Sequence, residues 1–179
     1  MEFNHSNNVI SADNQQERLR IESWITGFTD GEGCFSVSLI KNKTSKSGWQ
    51  VFPEFVITQG EKSLNALNII NNHFQCGKIF VNKRYDNHNE NIYRYCVRSI
   101  SEIHNKVIPF FERNQLKTAK VNDYKIFKQI ISIMFKGGHL SKAGMNKIAR
   151  LIEQMNRKKK SRFLKSSETK RQTRIRSRK

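Results

Sequence analysis

The chain has 179 residues, 33 of them Lys or Arg and 15 Asp or Glu, for a formal net charge of +18. A hydrophobic share of 36% with twelve Phe excludes global disorder, and no run of about 18 apolar residues exists to cross a membrane. Cys34, Cys76 and Cys96 are odd in number and widely spaced with no C-x-x-C pair, which argues against a disulfide framework or a zinc site and for a reducing compartment. The Asn-rich start carries no apolar segment of the kind a secretory signal needs, so an intracellular protein is expected. The positive surplus points to a polyanion, and nucleic acid comes first because phosphate neutralisation releases counterions. Residues 157–179 hold +11 of the charge and read as a basic disordered tail, leaving +7 for residues 1–156.

In chain order, residues 1–16 lack apolar periodicity and are expected to be flexible. Leu19, Ile21, Trp24, Ile25 and Phe28 fall on one helical face from Arg18 to Thr29, and Gly31-Glu32-Gly33 stops that helix. Phe35, Val37 and Leu39 alternate with Ser36, Ser38 and Ile40, which predicts a half-buried strand. After a polar turn from Lys41 to Gly48, a second strand puts Val51, Phe55 and Ile57 inward and Gln50, Phe52, Glu54, Val56 and Thr58 outward. Glu61 to Phe74 has helical spacing, and Ile79–Val81 and Ile92–Val97 form a second hairpin. A third helix is expected to end near Pro109, with two more over Ala119–Phe135 and Lys142–Met155. The order predicts an α+β protein, a four-stranded antiparallel sheet with helices on one face plus C-terminal helices. The other sheet face would show polar side chains suited to a nucleic-acid groove.

The segment from Trp24 to Gly33 (WITGFTDGEG) is the most informative. Gly27 and Gly31 lie on one helical face and permit close approach of another backbone. Asp30 and Glu32 sit at the helix C-terminus, where the macrodipole disfavours each acid by about 0.3–1 kcal/mol. Either a hard divalent cation compensates them, or this is an ordinary acidic helix end before a glycine turn.

This segment resembles the LAGLIDADG signature. The resemblance runs over residues 18–156, through Gln50-Val51-x-Pro53-x-Phe55-x-Ile57, Val107–Phe111, Lys117–Lys120 and Gly138-His139-Leu140 to Met155-Asn156. It implies an αββαββα endonuclease domain over residues 17–156 and the activity of a group I intron-encoded homing endonuclease. Such a protein cuts both strands of a long double-stranded DNA target, the intronless allele of its host gene, with Mg²⁺ or another divalent ion such as Mn²⁺. By the resemblance Glu32 is the metal ligand, where the family more often has Asp, with the Gly31 carbonyl nearby. Gln59 and Lys120, with Lys117 as the alternative lysine, match positions that place water or balance charge. One signature helix per chain implies a homodimer through Trp24, Gly27, Phe28, Asp30 and Gly31. Strand parity nominates Ser36, Ser38, Asn42, Gln50, Glu54, Arg94 and Arg98 for DNA contact, with Lys83 and Arg84 at a hairpin tip. An RNA-binding intron maturase of the same fold and a non-catalytic DNA-binding regulator are the rival readings. An organelle (mitochondrion or chloroplast) and a prokaryotic cytoplasm both suit a reduced, intron-encoded protein.

Overall fold

A computed structural model describes residues 6–45, 47–82 and 90–155. Lys83, Arg84 and the basic tail lie outside these residues. Helix α1 (Ser6–Glu32) leads directly into β1 (Gly33–Lys41), which turns into β2 (Trp49–Gly60). A 3₁₀ turn precedes α2 (Leu64–Phe74), followed by β3 (Lys78–Asn82) and β4 (Ile92–Val97). Then come α3 (Ile100–Glu102), a π turn (Ile103–Val107), α4 (Ile108–Arg113), α5 (Lys120–Phe135) and α6 (Lys142–Glu153). All strand pairs are antiparallel, in the order β1-β2-β4-β3.

Two boundaries differ from expectation. The first helix begins at Ser6, well before the apolar periodicity starts at Arg18, and takes in much of the segment expected to be flexible. No Gly or Pro interrupts residues 6–26, and Gln15, Gln16 and Glu17 propagate a helix without any core-facing stripe. The helix around Ile103 does not end near Pro109 but continues to Arg113. Proline lacks an N–H, and its ring clashes with the carbonyl four residues back. The π turn just before it widens the helix there, so Pro109 falls in the first turn of α4.

The inner sheet face builds the core. Phe35 stacks on Phe55 with ring centroids 5.1 Å apart, and edge-on contacts carry the cluster to Phe74, Tyr95 and Phe111. Ile25, Leu67, Ile70, Phe127 and Ile130 are fully buried against it. Each such side chain contributes about 1.5–3 kcal/mol by leaving water. The expected parity holds in β1 and β2, since Ser36 pairs with Glu54 and Ser38 with Phe52 on the opposite face. In β3, Phe80 opposes Arg94, which places Lys78, Phe80 and Asn82 on that face too. Val81 shares the core face but is 48% exposed, because β3 is an edge strand. Gly33 is needed where α1 becomes β1, since a Cβ there would meet the Thr29 carbonyl oxygen at 2.8 Å.

Candidate active site and nucleic-acid interface

The C-terminal turn of α1 and the entry to α5 meet although they lie about ninety residues apart. Asp30 accepts hydrogen bonds from the Lys117 N–H (2.6 Å), the Thr118 N–H (3.3 Å) and the Thr118 hydroxyl (2.8 Å). Burial works to raise its pKa, but those donors and the Lys120 charge outweigh it and hold the carboxyl below its usual range. The same loop brings the Lys120 ammonium onto α1, where it donates to the carbonyls of Thr29 (2.7 Å) and Gly31 (3.3 Å). These carbonyls belong to the last turn, which has no further N–H of its own to satisfy them. Burial lowers the pKa of Lys120, against the raising influence of Cys34, Asp30, Glu32 and Asp123.

Glu32 closes the turn, exposed to solvent. Its carboxylate makes no hydrogen bond or ion pair with the described residues, in contrast to Asp30. Of the two lysines matched from the sequence, only Lys120 brings its ammonium here, while Lys117 contributes its backbone N–H. Gln59 is half-buried beyond the Gly33–Ile57 pair and opposes Tyr93, on the helix-bearing face at the Glu32 end of the sheet. The sequence missed the Asp30–Thr118 link, because nothing in local spacing announces a contact across 88 residues.

On α1, Trp24 is 39% exposed and stacks on Phe28 at 5.1 Å. Gly27 and Gly31 continue that stripe, and a Cβ on either would meet nothing within 4 Å. Asp30 is turned away from the stripe toward Lys117 and Thr118 of its own chain. Ile25 is fully buried in the core.

The outer sheet face carries most of the nominated nucleic-acid contacts. Ser38 and Gln50 are exposed, and Asn42 donates to the Gln50 side chain at 3.1 Å. The Ser36 hydroxyl lies 3.5 Å from the Glu54 carbonyl. Glu54, 9% exposed, is committed within the protein: one oxygen accepts from Arg98 Nε (2.8 Å) and lies 2.7 Å from its Nη2, the other accepts from Arg94 Nη2 (3.2 Å). Cys96 lies between Arg94 on β4 and Arg98 just past its end, and burial, with the Glu54 charge, pushes its thiol up to about 11. The arginines hold a buried acid on the face expected to show polar side chains to a nucleic-acid groove.

Residues 25–131 match the family described as LAGLIDADG endonuclease. Probable intron-encoded endonuclease 2 of Neurospora crassa is 38% identical over 126 residues, 70% of this chain and 27% of that protein. The chain spans about a quarter of the length of the first such relatives. Among solved structures, the homing endonuclease I-TnaI superposes with a TM-score of 0.71 at 38% identity, covering 83% of this chain and 96% of that one. I-SmaMI, bound to uncleaved DNA target in the presence of calcium ions, superposes with a TM-score of 0.72 at 31% identity, covering 82% of this chain and 48% of that one. The match over the signature helix, the sheet and α5 agrees with the site's geometry, and the chain belongs to the LAGLIDADG endonuclease family.

Proposed function

We propose that this chain is a homing endonuclease that hydrolyses both strands of a long duplex target as a homodimer, with a divalent metal ion. The carrying observation is the end of α1, where an uncommitted Glu32 carboxylate stands beside an ammonium seated on the neighbouring carbonyls. Relatives described as intron-encoded endonucleases support the reading, as does a structural relative bound to DNA.

The donor set fits a hard cation in part. Glu32 and the Gly31 carbonyl offer oxygen ligands of the kind Mg²⁺ or Mn²⁺ takes. Among the described residues, no group of three or more His, Cys, Asp or Glu side chains assembles a complete site. In a dimer on DNA, phosphates and the second copy would complete the ligand set that Glu32 and the Gly31 carbonyl begin. When bound, the ion neutralises charge developing at the scissile phosphate. Glu32 would hold it at the end of α1. Lys120 places a cation near that charge without reorganisation. Gln59 is assigned to orient a water at the same end of the sheet.

A duplex has two strands to cut and the described chain presents one α1 end. The Trp24–Phe28 stripe with Gly27 and Gly31 suits a second α1 packed closely by a two-fold axis. Sedimentation of the protein on its DNA should report two chains per duplex, and a single chain would sink the dimer.

The test uses duplex DNA joining the exons that flank the reading frame. With Mg²⁺ the protein should cut both strands at one site, while Glu32→Gln should bind as tightly and cut neither. Cleavage by Glu32→Gln would remove Glu32 from its role. Tight binding to the intron RNA without any DNA cut would put the maturase in place of the nuclease.

A further inference from the structure

Resting on the DNA-cleaving reading above, we infer that Arg98 is a specificity-determining residue, a pre-set fork that reads one guanine in the major groove of each target half-site.

Four side chains restrain it. Glu54 takes the side edge of the guanidinium, with Nε at 2.8 Å and Nη2 at 2.7 Å from the same oxygen. The ring centroids of Phe52 and Phe80 lie 5.4 and 5.0 Å from its central carbon, close enough for cation–π attraction. Arg94 engages the second Glu54 oxygen, so the carboxylate cannot turn away. Glu54 is buried while the Arg98 side chain is 40% exposed. The end edge, Nη1 with the second N–H of Nη2, is not the edge Glu54 takes; it offers two parallel N–H groups, a geometry that matches O6 and N7 of guanine.

A buried acid on a surface that must meet phosphates weakens attraction to DNA, so charge alone gives no reason for Glu54 to be there. A phosphate contact tolerates a mobile side chain. A base contact gains from one already held in register. Glu54 pairs with Ser36 midway along β2, and Arg98 follows the end of β4 that lies away from Tyr93, which puts Arg98 over the middle of the sheet and not at its Glu32 end.

The experiment selects bound duplexes from a randomised DNA pool with the full-length protein in Ca²⁺, then repeats the selection with Arg98→Lys, Arg98→Ala and the double change Phe52→Leu with Phe80→Leu. Wild type should select a two-fold symmetric consensus with one strongly preferred guanine in each half. Arg98→Lys keeps the charge but loses the fork, so preference at that base should fall by about tenfold or more while other positions stand. Arg98→Ala should do the same, and the ring changes should weaken that position alone. A consensus unchanged by Arg98→Lys, or uniform weakening in Arg98→Ala with a salt dependence shallower by about one ion, would make Arg98 a phosphate contact and overturn the inference. A wild type that selects no consensus would overturn the site-specific reading itself, which separates the two failures.

Discussion

Lys120 caps the end of α1 and is proposed to serve the active site as well, and substitutions separate the two roles. Its ammonium caps two carbonyls of α1, and burial already lowers its pKa. A lysine required in its charged form should let cleavage decline on the alkaline side, below the ordinary lysine value of about 10.4. Lys120→Met should cut the rate by roughly a hundredfold or more. Lys120→Arg should keep part of the rate and move the alkaline decline upward, and an unmoved pH profile would assign it to another group. Gly77 shows the same logic for stability. Its φ of 75° and the Cys96 carbonyl oxygen 2.7 Å from a built Cβ leave no room for a side chain. Gly77→Ala should cost about 1–3 kcal/mol in urea unfolding, with the β3–β4 edge disturbed first.

At the level of elements, α1 is unusual in exposing the glycines that let a backbone come close. For an isolated chain, Gly27→Ala should stabilise the helix by about 0.5–1 kcal/mol, because the new methyl meets nothing and the backbone loses freedom in the unfolded state. In the proposed dimer the same methyl stands between two helices. Unfolding measured at low concentration should therefore improve while the dimer dissociation constant rises, a pairing of signs that a solvent-facing stripe would not give. The elements themselves were largely legible. Period-two alternation in Phe35–Leu39 and Val51–Ile57 placed the strands and their faces, because only one face is buried. The apolar stripe from Leu19 to Phe28 located part of α1 but not its start, since polar helix formers extend a helix without leaving a stripe. Pro109 misled, because a π turn accommodates a proline that an unbroken α-helix rejects. At the candidate site, Glu32 and Lys120, nominated from motif and position, come together at the end of α1, their roles being part of the proposal. The Asp30–Thr118 link and the Phe52–Arg98–Phe80 arrangement were not legible, since tertiary contact alone creates them.

For the whole molecule, pH acts on stability through His73. Burial lowers its pKa, Glu22 at 4.0 Å works against this, and the lowering prevails. The unfolded chain then binds the proton more readily than the folded one, so stability should fall as pH drops below about 6.5. Melting temperatures between about pH 7.5 and about pH 5 should fall less steeply for His73→Gln than for wild type. Equal slopes would assign the effect elsewhere. The link between Asp30 and the Lys117–Thr118 loop has a further consequence, for the order in which the molecule is made. A ribosome delivers Glu32 long before Lys120, and the ammonium reaches the α1 carbonyls only when the chain between has folded back across the sheet. An unfinished chain thus carries the acidic half of the proposed centre without its cation, so hydrolytic competence arrives late in synthesis.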